Sequence, residues 1–321
     1  MYYLGVDLGG TNIAVGVVDE NGRILHKDSV PTGAGRPPQE TLDDMAAISR
    51  KVVADAGLKL DDIAAVGIGS PGLIDIGTGA VVFANNLYWH NVPLAGSMAK
   101  ALGKPAFADN DANVAALAEV EAGSMKGAKN AVLLTLGTGV GGGIIINGRI
   151  YAGTHNGGAE LGHMCLVLNG EQCTCGNKGC VERYTSATAL IREGRKSAEA
   201  HTDGAIARKV GGDFDKISAK TVIDCAREGD AEAVRIFDEY IYALTMTIIT
   251  VINIFEPQAI AIGGGVSAAG DFLMKPLEKS VTDHLFYPDI PHPAIVQAVL
   301  GNDAGIIGAA MNGKARLADQ G

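Results

Sequence analysis

The sequence predicts an α/β protein built from two related domains, and three observations support this fold class. The chain has 321 residues, a length that favours two domains. Hydrophobic residues make up 47% of it, aromatic residues only 5%, and glycines number 44, a mixture typical of α/β enzymes with tight turns at their strand ends. One pattern of strand, glycine-rich loop, strand and Asn-Gly-Arg-Ile also occurs twice, which indicates an internal duplication.

Each copy of the repeat predicts a β-hairpin, because Asn-Gly between apolar runs is a strong hairpin signal. The first copy consists of the apolar run 2–6, the loop 7–12, the apolar run 13–18 and the turn 21–24. The second copy consists of the run 131–136, the loop 137–143, the run 144–146 and the turn 147–150. We therefore expect each domain to begin with a hairpin whose glycine tip faces a shared cleft.

The rest of the chain alternates between helical and strand patterns. Helices are expected over 41–56 with a Thr cap and Gly57 at its end, from the segment 109–113 through Ala122, over 230–255 before Pro257, and over about 303–314. Strands are expected over 63–68, 106–108 and 259–262. The predicted domains are residues 1–110 plus 302–321, which form a smaller α/β domain, and residues 111–301, which form a larger one.

Charge and segment composition restrict the partners. The formal net charge is −10, which argues against nucleic acid as a main partner. Met1-Tyr-Tyr leads straight into an apolar strand, with no basic region or cleavage site of a secretory signal. The longest apolar stretch, 241–255, is too short and too often interrupted by Thr and Asn to span a bilayer. The expected location is the cytoplasm, with no membrane partner.

One imidazole and three thiols within a short segment predict a zinc site. The predicted ligands are His163, Cys173, Cys175 and Cys180. Gly176 and Gly179 let the backbone turn tightly between them. Four protein ligands leave no open position for a metal-bound water, so the zinc is expected to be structural and to shape a pocket. The alternative is that these are ordinary cysteines, as Cys165 and Cys225 are interpreted to be, namely small buried apolar residues. A disulfide is disfavoured, because nothing places the chain in an oxidising compartment.

Three glycine-rich loops follow predicted strands, at 9–11, 137–143 and 263–265. Glycines let backbone N–H groups approach phosphate oxygens. Asp7, just before the first loop, is a candidate to hold Mg²⁺ through water. The second loop matches the dinucleotide fingerprint by letter, but that fingerprint requires a following helix and here a strand follows. No P-loop motif occurs. The loops favour the phosphates of a nucleotide bound between the domains.

Asp111 is the candidate general base, because it lies at a strand-to-helix junction beside the positive end of a helix. Its neighbour Asp109 is expected to cap that helix. Two carboxylates and an amide suit the vicinal hydroxyls of a sugar, and the polar groups that fit this role are Asn110, Glu160, His163 and Glu182. A glycosidase with paired carboxylates is the alternative, but it would not need three phosphate loops.

Together these motifs resemble the ROK family, which comprises bacterial sugar kinases and sugar-responsive repressors. The first loop is similar to the family's as Asp7-Leu-Gly-Gly-Thr11, and the family signature is similar to residues 134–163. The zinc motif is similar as Cys173-x-Cys175-Gly-x-x-Gly-Cys180-x-Glu182. Segments 70–75 and 86–94 resemble the glucokinase branch less specifically. The resemblance covers nearly the whole chain and implies the actin/hexokinase ATPase fold, with two such domains around a central cleft and a zinc-binding loop.

The resemblance also implies roles for individual residues. Asp111 would be the catalytic base, and His163 would serve both the zinc and the sugar. The residues implied to bind the sugar are Gly72, Asn110, Asp111, Glu160, His163 and Glu182. Those implied to contact the phosphates of ATP are Gly10, Thr11, Asn12, Gly137, Thr138 and Gly139, with Gly264 and Gly265 on the adenosine side. Asp7, as the Mg²⁺ candidate, and Gly9 of the same loop complete the predicted ATP site. Asn12 departs from the family, where many members carry Lys.

The activity implied is ATP-dependent phosphorylation of D-glucose at its 6-hydroxyl, with Zn²⁺ as a structural metal and Mg²⁺ bound with ATP. Kinases of mannose, fructose, N-acetylglucosamine or N-acetylmannosamine share most of the pocket and remain alternatives, as do polyphosphate and other nucleotides as donors. A sugar-sensing repressor is disfavoured, because Asp7 comes too early for a preceding helix-turn-helix. A nicotinamide-linked oxidoreductase is disfavoured by the hairpin after Gly143. A homodimer or homotetramer is expected from the family alone.

Overall fold

The computed structural model describes residues 1–320 and divides into two compact units. Unit one contains Met1–Leu133, Gly143–Ala159 and the segment that begins at Val299. Unit two contains Leu134–Gly142 and Glu160–Ala298. The sequence-based boundary after residue 110 therefore differs from this division. The helix that begins at Asp111 stays in unit one because it packs closely against the C-terminal helix.

The described residues form strands and helices in the following order. The strands are β1 (Tyr2–Leu8), β2 (Asn12–Asp19), β3 (Ile24–Pro31), β4 (Ile63–Ser70), β5 (Leu73–Asp75), β6 (Ala80–Ala84), β7 (Trp89–Val92), β8 (Ala106–Asn110), β9 (Ala131–Leu136), β10 (Val140–Ile146), β11 (Arg149–Ile150), β12 (Ala259–Gly263) and β13 (Ala294–Gln297). The helices are α1 (Pro38–Asp55), α2 (Leu94–Leu102), α3 (Asp111–Glu121), α4 (Glu182–Thr185), α5 (Ala187–Ala200), α6 (Ala205–Lys209), α7 (Ala219–Arg227), α8 (Ala231–Phe255), α9 (Asp271–Asp283) and α10 (Ala304–Ala318).

Two mixed sheets carry the duplication. The first has the order β3-β2-β1-β4-β8, with β1 and β2 antiparallel and with β1, β4 and β8 parallel. The second has the order β11-β10-β9-β12-β13, with β10 and β11 antiparallel and with β12 and β13 parallel. In the second Asn-Gly turn both residues are left-handed, with φ of 54° at Asn147 and 75° at Gly148, whereas in the first turn only Gly22 is, with φ of 82°. The α/β class and the repeated hairpins are confirmed.

Hydrophobic alternation explains why these strands form a core. In β1, Leu4, Val6 and Leu8 are fully buried, and β2 buries Ile13 and Val15 beside them. A third sheet, β5-β6-β7, adds its inner residues to the same hydrophobic cluster. Because β1, β4 and β8 are parallel, their carboxyl ends lie on one edge of the first sheet. Open α/β sheets bind their ligands at this edge.

Helix boundaries agree with the sequence where a clear stop signal is present. Helix α8 begins after Asp230, whose side chain accepts a hydrogen bond from the Ala233 N–H, and ends two residues before Pro257. The expected Thr cap of α1 is wrong. That helix begins at Pro38, because proline is well suited to the first helical position, and Thr41 is buried inside the helix.

One helix of the described residues, α8, is long and apolar enough to cross a membrane by length and composition. Half of its most apolar window is buried inside the protein, however. It packs against α4, α5, α7 and α9, all of which belong to unit two. Its apolar character is therefore that of a core helix.

Candidate active site and metal centre

The junction between β8 and α3 holds the predicted general base. Asn110, not Asp109, caps the helix: its side-chain oxygen accepts from the N–H groups of Ala112 and Asn113 at 2.9 and 3.4 Å. The expectation that Asp109 is the cap is therefore wrong. Asp109 is the next-to-last residue of β8 and is only 3% exposed. Its Oδ1 atom accepts from the Asn110 N–H and from the Asn113 side-chain amide.

Asp111 occupies the first position of α3, where the helix dipole favours a negative charge. Its Oδ1 atom accepts from the Ala112 N–H at 2.8 Å. Burial nevertheless raises the pKa of Asp111, because it removes water from the charged form, although the Ala112 and Asn110 hydrogen bonds oppose the rise. A carboxylate with a raised pKa is a stronger base, which suits proton abstraction from an alcohol.

Asp7, at the end of β1, lies close enough to Asp111 for the two charges to repel. Burial, with the charge of Asp111 as a smaller cause, raises the pKa of Asp7 to about 6. The N-terminal turn of α10 contacts this carboxyl group directly, since a Cβ atom on Gly305 would lie 2.4 Å from the Asp7 Cγ atom. Two neighbouring carboxylates fit a divalent cation held partly through water.

The first phosphate loop is a tight turn between β1 and β2. The Gly9 N–H donates to the Asn12 carbonyl at 2.9 Å, and the Thr32 hydroxyl donates to the Gly9 carbonyl at 2.7 Å. The Thr32 N–H donates to the Thr11 carbonyl as well. These bonds hold the loop that contains Gly10, as the sequence predicts. The roles of these residues toward phosphate stay predictions.

Gly72 follows β4 in unit one and has a φ of 92°. A Cβ atom there would lie 2.1 Å from the Phe83 carbonyl oxygen, so only glycine fits. The Asn110 side-chain amide donates to the Gly72 carbonyl at 3.2 Å. Unit one therefore brings together Gly72, Asn110 and Asp111, three of the predicted sugar-binding residues.

The predicted zinc ligands meet in unit two. One ligand atom from each of His163, Cys173, Cys175 and Cys180 lies within 4.8 Å of all the others. The Cys173 Sγ to His163 Nδ1 distance is 3.7 Å, and the Cys175 Sγ to Cys180 Sγ distance is 3.6 Å. Tetrahedral zinc with Zn–S bonds of about 2.3 Å would place its sulfur ligands roughly 3.8 Å apart. One imidazole with three thiols is also a donor set that zinc prefers, so the residues fit this metal.

The loop around the cluster turns where the glycines predict. Gly176 and Gly179 have φ values of 95° and 75°, and a Cβ atom on Gly179 would lie 1.7 Å from the Val167 carbonyl oxygen. All five cysteines of the chain are free. Cys225 is buried as expected, whereas the interpretation of Cys165 as a buried residue is wrong, because it is exposed at the surface of the loop.

Without a cation the thiols compete for protons. Burial and hydrogen bonds with the other two thiols raise the pKa of Cys180 to about 12. Burial also raises the pKa of Cys173, but hydrogen bonds from the Cys175 backbone and from neighbouring side chains outweigh it and bring the value to about 7. A bound dication would favour the thiolate form at every position, which is why the cluster suits a metal rather than free thiols.

Glu182, at the start of α4, lies against the second phosphate loop. Its Oε2 atom accepts from the Val140 N–H at 3.0 Å, and a Cβ atom on Gly139 would lie 2.2 Å from the same oxygen. Thr188 donates its hydroxyl to the Thr138 carbonyl at 2.6 Å. Two residues after the last predicted zinc ligand, Glu182 thus connects the Cys/His loop to the second glycine loop.

The remaining predicted residues of unit two are Glu160, which lies beside the Cys/His cluster, and the two glycines of the third glycine loop. Glu160 is exposed, and its carbonyl accepts from the His163 N–H at 3.0 Å, so the backbone links it to a zinc ligand. Gly264 has a φ of 79°, and a Cβ atom there would lie 2.6 Å from the backbone of Leu136 at the end of β9. Gly265 has open space around it. The third glycine loop therefore lies against the strand that leads to the second loop.

Two residues of unit one were missed in the sequence. Asn113 follows Asp109 by four residues, a spacing that places both side chains on one side of the junction. In the sequence alone, however, Asn113 has the pattern of an ordinary helical residue. Gly305 stands at the start of the C-terminal helix, where its small size gives no local signal. Asn113 matters because its amide bonds the buried Asp109 carboxyl group four residues earlier, and Gly305 matters because the fold brings the distant Asp7 carboxyl group next to it.

The chain is similar to known proteins over nearly its whole length. The ROK family model matches residues 3–315. A glucokinase of Thermotoga maritima is 40% identical over 318 residues, which cover 98% of both chains. A glucokinase of Halalkalibacterium halodurans is 36% identical over 96% of this chain and 93% of its own. The crystal structure of a ROK family glucokinase from Streptomyces griseus in complex with glucose and AMPPNP matches with a TM-score of 0.80 and 37% identity, over 98% of this chain and 100% of that one.

These matches span the glycine loops, the β8–α3 junction and the Cys/His cluster described above. They cover both units, and the sequence motifs that indicated a resemblance fall inside the matched range. The chain belongs to the ROK family.

Proposed function

We propose that this protein is a glucokinase that transfers the γ-phosphoryl group of ATP to the 6-hydroxyl of D-glucose. The observation that carries the proposal is the buried Asp111 carboxyl group at the start of α3, in a chain that matches glucokinases from end to end. A general base at this position takes the proton of the 6-hydroxyl while the oxygen attacks phosphorus. Binding energy and positioning supply the remaining rate, as is usual for phosphoryl transfer.

The residues proposed to contact the sugar are each held in place by their own surroundings. Asn110 and Asp111 are held in place by the helix cap, and Gly72 provides backbone beside them. Glu160, His163 and Glu182 are tied to the zinc loop or the second phosphate loop. Ionised carboxylates accept strongly from hydroxyl groups, and so a sugar with several equatorial hydroxyls suits this donor and acceptor set.

We further propose that the glycine loops bind ATP. The backbone of the first loop and of residues 137–139 would contact phosphates, and Gly264 with Gly265 would face the adenosine. Asp7 would hold Mg²⁺ through water, since its carboxyl group is buried beside a second carboxyl group and a cation would relieve their repulsion. Mg²⁺, when bound with ATP, neutralises charge on the phosphates.

Zinc in this proposal is structural. Its four ligands come from the chain, and so no position is left for a catalytic water. The metal holds the segment that ends in Glu182, and His163 can present its second ring nitrogen to the sugar. We also propose a cytoplasmic enzyme that forms a homodimer or homotetramer, as expected from the family.

The test is steady-state kinetics of zinc-replete protein with ATP-Mg²⁺ and five sugars: glucose, mannose, fructose, N-acetylglucosamine and N-acetylmannosamine. The highest kcat/KM is expected with glucose. If another hexose gives the highest value, the kinase mechanism stands and the sugar is corrected. If no sugar is phosphorylated with ATP, polyphosphate or another nucleotide as donor, the kinase proposal is wrong.

A further inference from the structure

The β8–α3 junction contains a pair of buried polar side chains that the proposed mechanism does not use. Asp109 is 3% exposed and Asn113 is 4% exposed. Burying polar groups is costly unless they are hydrogen-bonded, so a buried Asp–Asn pair needs a reason. The two residues lie on either side of Asp111 in the sequence, one at the end of the strand and the other in the first turn of the helix.

The hydrogen bonds of this pair bridge the catalytic position. The Asn113 Nδ2 atom donates to Asp109 Oδ1 at 2.9 Å, and the Asn110 backbone N–H donates to the same oxygen at 2.8 Å. One carboxylate oxygen thus binds the backbone just before Asp111 and a side chain two residues after it. This fixes the angle at which the chain passes from strand to helix, and with it the direction of the Asp111 side chain.

The pair is not needed to satisfy the helix end. Asn110 already caps α3 through its own side chain, and Asp111 accepts from the Ala112 N–H. The strand pairing of Asp109 with Gly69 also fixes the end of β8 without any side-chain contribution. The Asp109–Asn113 bond adds a second constraint on the turn from β8 to α3, beyond the constraint that the Asn110 cap provides.

The surroundings of Asp109 favour a hydrogen-bonding role over an ion pair. A cavity of about 380 Å³ lies against it and is also lined by Arg149, Arg316 and Asp319. Arg149 is paired with Asp319, and Arg316 donates to the Ile76 carbonyl. Burial raises the pKa of Asp109, although its two hydrogen bonds and the charge of Arg316 oppose the rise. No direct salt bridge to Asp109 exists among the described residues.

We infer that Asp109 and Asn113 form a positioning pair that aims the Asp111 carboxyl group at the acceptor hydroxyl of the substrate. Neither residue touches substrate; they act through the strand-to-helix turn. This inference rests on the proposed function, because it assigns Asp111 as the base. A misplacement of the base by about 1 Å costs on the order of a hundredfold in rate, which sets the size of the effect to look for.

The experiment compares Asp109→Ala, Asn113→Ala and the double variant with the parent by steady-state kinetics at 25 °C. Each single variant is expected to lower kcat by about tenfold to a hundredfold while KM for ATP changes by less than about twofold. The double variant should be no slower than the worse single one, because both substitutions remove the same bond. Asp109→Asn, which keeps an acceptor oxygen at the same place, is expected to restore kcat to within about threefold of the parent.

The matched control is Asn312→Ala. Asn312 is 5% exposed, lines the same cavity and has an amide nitrogen with no hydrogen-bond partner among the described residues. It removes a buried amide that takes no part in the hydrogen bonds between Asp109, Asn110 and Asn113, so its kcat should stay near the parent value even if its melting temperature falls. If Asp109→Ala fails to fold, Asn113→Ala and Asp109→Asn still decide the question.

Three outcomes would overturn the inference. The first is a kcat within twofold of the parent for both single variants. The second is additive losses in the double variant, which would mean two independent roles. The third is a loss for Asp109→Asn as large as that for Asp109→Ala, which would make charge rather than the acceptor geometry the cause. An inactive parent protein in the same assay identifies failure of the proposed function itself, and the inference falls with it.

Discussion

Asp7 lies at the end of β1 and Asp111 directly follows β8, a strand of the same sheet, and the charge of Asp111 contributes to raising the pKa of Asp7 to about 6. Burial is the larger cause. Two carboxyl groups in this relationship resist being ionised together unless a cation or a hydrogen-bond donor lies beside them. Their pairing therefore connects the proposed base with the proposed Mg²⁺ site and supplies a pH-dependent prediction.

The prediction concerns stability without metal or nucleotide. Because the folded-state pKa of Asp7 lies above its ordinary value of 3.8, the folded protein binds the proton more tightly than the unfolded chain does. This stabilisation is present below about pH 4 and is lost as the pH rises to about 6. Asp7→Asn should therefore raise the melting temperature relative to the parent at pH 7 and have little effect at pH 4. Asp61→Asn, at a side chain that is 99% exposed, is the control.

A second prediction tests the base directly. Asp111→Asn should lower kcat by about 10²- to 10⁴-fold, because the amide cannot accept the proton of the 6-hydroxyl. Glucose binding, measured by calorimetry, should remain within a few-fold of the parent, since an amide still forms hydrogen bonds at that position. Turnover near the parent rate would remove Asp111 as the base.

A third prediction concerns the metal loop. Cys175→Ser should lose zinc and activity together, because three remaining ligands no longer close the site and the segment leading to Glu182 loosens. Zinc content is measured by mass spectrometry on the same samples that are assayed. Cys165→Ser changes a neighbouring exposed thiol outside the cluster and should keep both. A zinc-free variant with full activity would contradict a structural role for the metal.

A fourth prediction follows from the closeness of Gly139 and Glu182. An alanine at residue 139 would place its Cβ atom 2.2 Å from Glu182 Oε2, so that this carboxylate must leave the Val140 N–H. A carboxylate displaced in this way would no longer accept from the sugar hydroxyl that it is proposed to bind. Loss of one hydrogen bond to a charged group corresponds to about tenfold or more in affinity, and we expect KM for glucose to rise by that factor. The control is Gly96→Ala, whose new Cβ atom would have nothing within 4 Å, and this variant should leave KM for glucose unchanged. An unchanged KM in Gly139→Ala would separate Glu182 from the sugar.

A fifth prediction concerns stability rather than catalysis. Glu119 is 1% exposed in α3, and its carboxylate accepts from the N–H groups of Val299 and Leu300 and from the N–H and hydroxyl of Ser124. Glu119→Gln turns one acceptor oxygen into a donor that faces other donors, and the free energy of unfolding should fall by about 1–3 kcal/mol. Urea denaturation measures it, with the exposed Glu199→Gln as control. Equal stabilities would show that the charge of Glu119 and the two bonds to the replaced oxygen contribute nothing net.

Much of the site could be predicted from local sequence because its chemistry is carried by short motifs. The zinc ligands share one loop, and glycines mark the phosphate turns, so residue type and spacing were enough to predict the cluster that the structure brings together. The helix α8 and the strand β9 were also predicted, since a cap, a proline or a clean apolar run bounds each of them. The cap of α3 was predicted wrongly because Asp109 and Asn110 are both good caps, and only burial distinguishes them.

By itself, the sequence determined the α/β class and the duplicated hairpins, and it predicted the Cys/His cluster and the candidate base, because each of these depends on residues close together in the chain. Only the tertiary structure decided which polar groups are buried and which meet across long separations. It placed Gly305 against Asp7, joined Glu119 to Val299, and kept the helix at Asp111 within unit one by packing it on α10. Such contacts arise from close packing of distant segments, and no local pattern specifies them.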